Sequence, residues 1–329
     1  MPPDDRMNPA IFIDAIQNQL QRTQYGQNPP ELYDPIRYIM NLGGKRMRPL
    51  LTLMAAYLFT DDWRKAIQPA LGVEVFHNFT LMHDDIMDQA PLRRGQPTVH
   101  EKWDQNVAIL SGDVMLVNAY ELLLTVDADK IKPVMTRFSR TAAEVCEGQQ
   151  LDMNFETRWD VTEAEYIEMI RLKTSVLLGY ALELGGIIAG ADTETTRHLY
   201  EGGVNIGIGF QLKDDLLDVY GDPAKFGKQV GGDILANKKT FLLIEALEQA
   251  KEPIREELTG WLDKPVTDKA EKVRAVTAIY EQLRIRQITE ARIAEYFARG
   301  FANFDQINAD PARKAFLTQF ARQLADRES

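Results

Sequence analysis

Two segments of the chain have side chains suited to holding a divalent cation. They are Asp84-Asp85-Ile86-Met87-Asp88 and Asp214-Asp215-Leu216-Leu217-Asp218, both of the form Asp-Asp-x-x-Asp. On a helix the first and last carboxylates of each motif, four residues apart, leave from one face and can share a ligand. Like charges at that spacing cost about 0.2–0.5 kcal/mol per pair, so something cationic must compensate them. Carboxylate oxygens are hard ligands and suit Mg²⁺, which keeps some of its waters and fills its shell with phosphate oxygens. A solvated acidic turn is the plain alternative. Against it, Phe79-Thr80-Leu81-Met82 and Ile208-Gly209-Phe210 precede the two motifs, so each ends an apolar helix instead of decorating an exposed one. Cations lie close by in sequence. Lys45, Arg46 and Arg48 follow Gly43-Gly44, Arg93-Arg94-Gly95 follows the first motif, and Lys228 and Lys238-Lys239 follow the second. Singly, each is an ordinary surface charge. Jointly, an acidic face with a basic rim is what a polyphosphate and its metal require.

The elements that must position these groups read as helices. Apolar residues recur at helical spacing over long windows, and short alternating runs of β-branched and aromatic residues are scarce, which makes the fold all-α. No proline occurs between Pro133 and Pro223, which leaves room for several long helices. The spacing predicts helices near 31–42, 49–60, 66–89, 106–125, 132–156, 163–190, 195–220 and 238–250, with more toward the C-terminus. Asn28-Pro29-Pro30, Gly43-Gly44, the Pro91 to Pro97 stretch and Gly221-Asp222-Pro223 punctuate them. No linker or low-complexity run divides the 329 residues, so one helical domain over 1–329 is expected.

Composition narrows the function. With 45% apolar and 26% charged residues the chain is globular, and its net charge of −11 excludes a protein that coats nucleic acid through a basic face. Cys146 is the one cysteine, so no internal disulfide forms and a reducing compartment is expected. The N-terminus lacks the basic and apolar regions of a signal peptide. The most apolar stretches, Val107 to Leu124 and Ser175 to Ala191, are broken by Asp113, Asn118 and Glu121 or by Glu183. Neither should span a bilayer, and a cytoplasmic location is expected.

These residues resemble the trans-prenyl diphosphate synthases (the polyprenyl synthetases), over most of the chain from Gly43 to about Thr240. Gly43-Gly44-Lys45-Arg46-Met47-Arg48-Pro49 matches that family's first basic motif, and His83-Asp84-Asp85-Ile86-Met87-Asp88 with Arg93-Arg94-Gly95 matches its first aspartate-rich region. Lys173-Thr174, Phe210-Gln211, the second aspartate motif, Gly232-Asp233-Ile234 and Lys238-Lys239-Thr240 follow in the family's order. The resemblance implies one large helical bundle around a central cavity, and the head-to-tail condensation of isopentenyl diphosphate with a dimethylallyl, geranyl or farnesyl diphosphate. It implies that Asp84, Asp88 and Asp214 bind Mg²⁺, three ions with diphosphate bound, with Asp85 and Asp218 as direct or outer supports. Arg93, Lys173, Lys228 and Lys238 would contact the allylic diphosphate, which would lie between the two aspartate faces. Lys45, Arg48, His77 and Arg94 would hold isopentenyl diphosphate, with Phe210 packed beside it. Thr174 and Gln211 resemble the polar groups that face the allylic cation. A homodimer is expected on the same ground, with no nucleic-acid partner and no membrane span.

In such synthases residues upstream of the first aspartate motif set the cavity floor. Phe79 five residues before Asp84, with Thr80 four before, resembles synthases that stop at C20 geranylgeranyl diphosphate; Phe76, eight before, would shorten the product to C15 farnesyl diphosphate. On a regular helix Thr80 lies nearer the Asp84 face than Phe79 does, so a floor role for Phe79 requires a bend. His83 reads as a hydrogen-bonded core residue, and Met115, Met153 and Met169 as core filler. A class I terpene cyclase would share an all-α fold and a metal site, but its second metal motif normally carries Asn or Ser with Glu. A silent helical subunit tends to lose the aspartates, and both sets are intact.

Overall fold

The computed structural model describes residues 8–221, 231–263 and 268–325. Its elements in chain order are α1 (Pro9–Arg22), α2 (Pro30–Asn41), α3 (Met47–Tyr57), a 3₁₀ turn (Trp63–Ala66), α4 (Ile67–Met87), β1 (Leu92–Arg93), β2 (Gln96–Pro97), α5 (Val99–Lys102) and α6 (Gln105–Leu123). There follow α7 (Ala128–Glu156), α8 (Glu163–Ile170), a π turn (Arg171–Ser175), α9 (Val176–Ile188) and α10 (Thr193–Tyr220). The chain closes with α11 (Gly232–Leu235), α12 (Phe241–Gln249), α13 (Ile254–Asp263), α14 (Lys269–Gln282), α15 (Ile285–Asp305) and α16 (Pro311–Ala325). The all-α expectation holds, and most of the expected helices fall within a few residues of those observed.

Three departures have local causes. Helix α1 starts where the Asn8 side chain accepts from the Ala10 N–H at 3.0 Å and Pro9 fills the first helical position, a cap that apolar periodicity alone does not reveal. Helix α7 begins at Ala128, four residues ahead of the expected start, with Pro133 inside it. Between Arg93 and Gln96 the chain makes a hairpin with Leu92 opposite Pro97. Its two turn residues, Arg94 and Gly95, have φ of 52° and 74°, the pair of positive values that a tight hairpin turn demands.

The chain forms two compact units. One comprises the chain up to Thr141 with Leu177–Tyr200 and Gln306–Leu317; the other comprises Ala142–Val176, Glu201–Asp305 and the chain from Thr318. In the first unit α4 packs along α6 and also meets α1, α2 and α3. Leu71, Val73, Val75 and Phe76 of α4 are buried on nearly all sides. Phe76 meets the Phe138 ring edge-on at 5.1 Å, and Phe138 meets Tyr120 at 4.9 Å and Tyr180 at 5.8 Å, so one aromatic cluster ties these segments together. Glu183, the charge that interrupts the second apolar stretch, is held by Arg137 at 2.9 Å.

In the second unit α12 packs on α8 and α15, and α11 on α14. Helix α8 opens with a reciprocal cap, Thr162 accepting from the Glu165 N–H while Glu165 accepts from the Thr162 N–H. Where one helix was expected over 163–190, the five-residue π turn separates α8 from α9. The Val176 N–H reaches back to the Arg171 carbonyl, and the Ser175 hydroxyl donates to the Ile170 carbonyl at 3.2 Å.

Candidate active site

Each aspartate motif falls at the end of its helix. Asp84 lies in the last turn of α4 and Asp88 caps it; Asp214 and Asp218 lie in the last two turns of α10. The motifs belong to different units, and each is described within its own.

In the first unit the carboxylates divide by burial. Asp85 is 2% exposed, whereas Asp84 is partly buried and Asp88 exposed. Arg93 donates to both oxygens of Asp85, from Nε at 2.8 Å and Nη2 at 2.7 Å. This two-pronged bond fixes the β1 end of the hairpin against the end of α4. Arg94, on the turn, donates to the Gly43 carbonyl, and a side chain at Gly44 would sit 2.8 Å from the Arg94 guanidinium. The two glycines therefore let the basic loop lie directly against the arginine. Arg46, with φ 47° before α3, donates to Glu74 at 2.6 Å and to the Met40 carbonyl. Arg46 is thus tied into the framework, while Lys45 is exposed and Arg48 partly buried with no partner at Nε. His77 sits among these cations. Burial first, and then the charges of Arg48, Arg94, Arg93 and Arg46, hold it well below its ordinary value, so its ring is neutral at pH 7. Burial also lowers Arg48 and Arg94 from the usual guanidinium range.

Helix α4 is continuous from Ile67 to Met87, through Phe76, Phe79 and Thr80 and into the first motif. Phe79 is partly buried, edge-on to His83 at 4.7 Å and tilted against Phe76 at 5.5 Å. The Thr80 hydroxyl donates to the His77 carbonyl at 2.8 Å. His83 is half-buried, 3.2 Å from the Ile109 carbonyl, and a side chain at Gly112 would collide with its ring.

In the second unit the middle aspartate is again buried, Asp215 at 3% exposure. Its clamp is neutral: Tyr166 donates its hydroxyl to one oxygen and Gln211 Nε2 donates to the other at 3.2 Å. Burial pushes Asp215 up to about 7, with the Lys238 charge opposing and the Asp233 charge adding. Thr174 stands 3.5 Å from Gln211 Oε1, so Thr174, Gln211, Asp215 and Tyr166 form one polar row. Lys173 donates to Asp152 at 2.6 Å. The π turn that carries Lys173 and Thr174 is gripped by glycines of neighbouring helices. A side chain at Gly148 would stand 2.2 Å from the Lys173 nitrogen, and one at Gly207 2.8 Å from Ser175. Asp218 accepts from the Asp233 N–H at 2.9 Å and so anchors the start of α11. Lys238 is exposed, whereas Lys239 is buried, donating to the Glu156 carbonyl at 2.8 Å under the Trp159 ring. Phe210 is partly buried. Lys228 lies outside the described residues.

The sequence pass missed Tyr166, Asp152 and Glu74. Glu74 had a signal, since a lone carboxylate inside Leu71-Gly72-Val73-Glu74-Val75-Phe76 must find a partner. Tyr166 had none, being 49 residues from the aspartate it serves.

Among the described residues no three His, Cys, Asp or Glu side chains converge as a ready metal cage. The outer carboxylates, Asp84 with Asp88 and Asp214 with Asp218, offer two oxygen-donor groups per ladder. That set fits Mg²⁺, which takes one or two carboxylates and completes its shell from water and substrate. The Asp85–Arg93 clamp is testable by itself. Asp85→Asn should cost about 1–3 kcal/mol in urea unfolding by leaving Arg93 without its charged acceptor. Arg93→Lys should lose most of the same amount, because an ammonium cannot make two parallel bonds. Unchanged midpoints in both variants would refute the clamp.

Comparisons with known proteins identify the family. The polyprenyl synthetase family profile matches residues 29–282. A geranylgeranyl pyrophosphate synthase from Geoglobus acetivorans is 38% identical over 315 residues, covering 95% of this chain and 96% of that one. A geranylfarnesyl diphosphate synthase from Natronomonas pharaonis is 40% identical over 257 residues, 73% of this chain and 74% of that one. A crystal structure of a geranylgeranyl pyrophosphate synthase superposes with a TM-score of 0.93 at 46% identity, covering 98% of this chain and 99% of that one. The chain belongs to the polyprenyl synthetase family and is a prenyltransferase.

Proposed function

We propose that this prenyltransferase joins isopentenyl diphosphate to an allylic diphosphate head to tail and releases C20 geranylgeranyl diphosphate. The observation that carries the reading is the shared division of the two aspartate motifs: a middle carboxylate buried and clamped, the outer two presented at a helix end. Asp84, Asp88, Asp214 and Asp218 are the residues that would hold Mg²⁺, with Asp85 and Asp215 fixing the backbone beneath them. When bound, the metal neutralises the diphosphate leaving group as the allylic carbon–oxygen bond breaks.

The chain's own groups do the rest. Arg93 and Lys173, each oriented by a carboxylate, and Lys238 hold the allylic diphosphate, and their fixed charges stabilise the negative charge that grows on it. Lys45, Arg48 and Arg94, with neutral His77 among them, hold isopentenyl diphosphate, and Phe210 packs beside it. Thr174 and Gln211 turn their oxygens to the allylic cation. The isopentenyl double bond attacks that cation, a carbon–carbon bond forms, and a proton leaves the adjacent carbon for the departing diphosphate, so no protein base is required. Purified protein given farnesyl diphosphate, isopentenyl diphosphate and Mg²⁺ should yield C20 product by mass spectrometry, and EDTA should abolish it. Full turnover in EDTA would overturn the proposal.

Product length rests on the relatives' names and on the residues before the first motif. A geranylfarnesyl synthase is as similar as the geranylgeranyl ones, so overall identity does not set it. Phe79, with Thr80 and Phe76, limits the growing chain in this proposal. Phe79 acts as bulk held edge-on against His83 and tilted against Phe76. Phe79→Ala should lengthen the product at retained turnover; an unchanged product spectrum would remove Phe79 from this role.

We also infer a homodimer working in the cytoplasm. Among the described residues no helix is long and apolar enough to cross a membrane. Leu110, Val117 and Leu124, 58%, 56% and 46% exposed, recur every seven residues along α6 and just beyond it, and a second copy of the chain is the occupant this stripe fits. Leu110→Glu with Val117→Glu should halve the mass seen by light scattering, and a wild-type monomer would discard the dimer.

A further inference from the structure

A cleft of about 380 Å³ opens in the second unit between α10, α15 and α16, with Leu216 of the second aspartate motif in its wall. Its floor is apolar, made chiefly by Leu216, Ile293, Phe297 and Phe301. Two cations, Lys213 and Arg322, stand over that floor. Among the described residues neither meets a carboxylate. Lys213 donates to the Ala325 carbonyl at 2.6 Å, and Arg322 lies 4.2 Å above the Phe301 ring. Glu290 also lines the cleft, but Arg286 engages it at 2.9 Å. An aromatic and aliphatic pit under two cations that, among the described residues, neutral groups hold is built for a molecule with an apolar tail and an anionic head. Its volume lies in the range of small-molecule sites.

We propose that this cleft binds a prenyl diphosphate, with the chain against Phe297 and Phe301 and the diphosphate on Lys213 and Arg322. The choice of ligand rests on the proposed condensation, whose substrates and products carry this pairing of tail and head. The site needs no metal, because its charge comes from side chains, which separates it from the aspartate ladders. Lys213 immediately precedes Asp214, so an occupant draws on the residue next to the second ladder.

Equilibrium dialysis of the full chain with tritiated farnesyl diphosphate in EDTA tests this. Binding should persist without metal, should be displaced by decyl phosphate and should resist an equal concentration of inorganic pyrophosphate. Arg322→Glu, at the exposed end of α16, should weaken it about ten-fold or more by removing a charge-assisted bond. Ala294→Trp, which fills the cleft, should abolish it; should that variant fail to fold, Arg322→Glu decides alone. No binding in EDTA, binding unchanged in Arg322→Glu, or complete displacement by pyrophosphate would overturn the site. A parallel condensation assay with Mg²⁺ keeps the two proposals apart. Cleft binding without condensation removes the proposed reaction and leaves a prenyl-anion site, whereas condensation without cleft binding removes the cleft alone.

Discussion

Carboxylates four residues apart repel one another, and at the C-terminal end of a helix they also face the negative pole of its dipole. Both aspartate ladders accept this double penalty, Asp84 with Asp88 at the end of α4 and Asp214 with Asp218 at the end of α10. Much of the surrounding structure compensates for it. Arg93 neutralises Asp85, the Tyr166 hydroxyl and the Gln211 amide hold Asp215, and the charge of Lys238 acts on the same carboxyl. The outer pair of each ladder, Asp84 with Asp88 and Asp214 with Asp218, is the part whose mutual repulsion an incoming cation can relieve.

The two clamps reach the same end by different physics. In the first unit a guanidinium forms an ion pair, and its charge reaches the buried Asp85 by two parallel bonds. In the second a phenol and an amide supply hydrogen bonds without charge, and desolvation lifts Asp215 toward neutrality. The row from Tyr166 to Thr174 can stand only because the π turn brings Thr174 toward Gln211. That turn fits only because Gly148 and Gly207 leave no side chain in its way. A glycine inside a helix is costly, and the close approach of Ser175 is the reason for Gly207.

Local chemistry was legible where it is local. The Asp-Asp-x-x-Asp spacing, the helical periodicity and the basic loop at Gly43-Gly44 each follow from neighbours within a few residues. The fold class followed from the same periodicity. Beyond reach were partners set by packing: Tyr166 for Asp215, Asp152 for Lys173, and Glu74 for Arg46, separated by 49, 21 and 28 residues. Sequence also counted Arg46 as one of three equivalent cations beside the glycines, and only its bonds to Glu74 and the Met40 carbonyl mark it as the framework arginine. Pro133 misled as a boundary, because α7 carries it within its length.

The hairpin gives adjacent arginines different masters: Arg93 serves the acidic end of α4, and Arg94 serves the glycine loop. Arg93 ends β1 and Arg94 opens the turn at φ 52°, so this division of labour depends on where along the chain the turn falls. Gaining or losing one residue between Pro91 and Arg94 would shift the turn and break both contacts. Length in this short connection is therefore as constrained as the identity of any residue in it, although the segment lies on the surface, where insertions are ordinarily harmless.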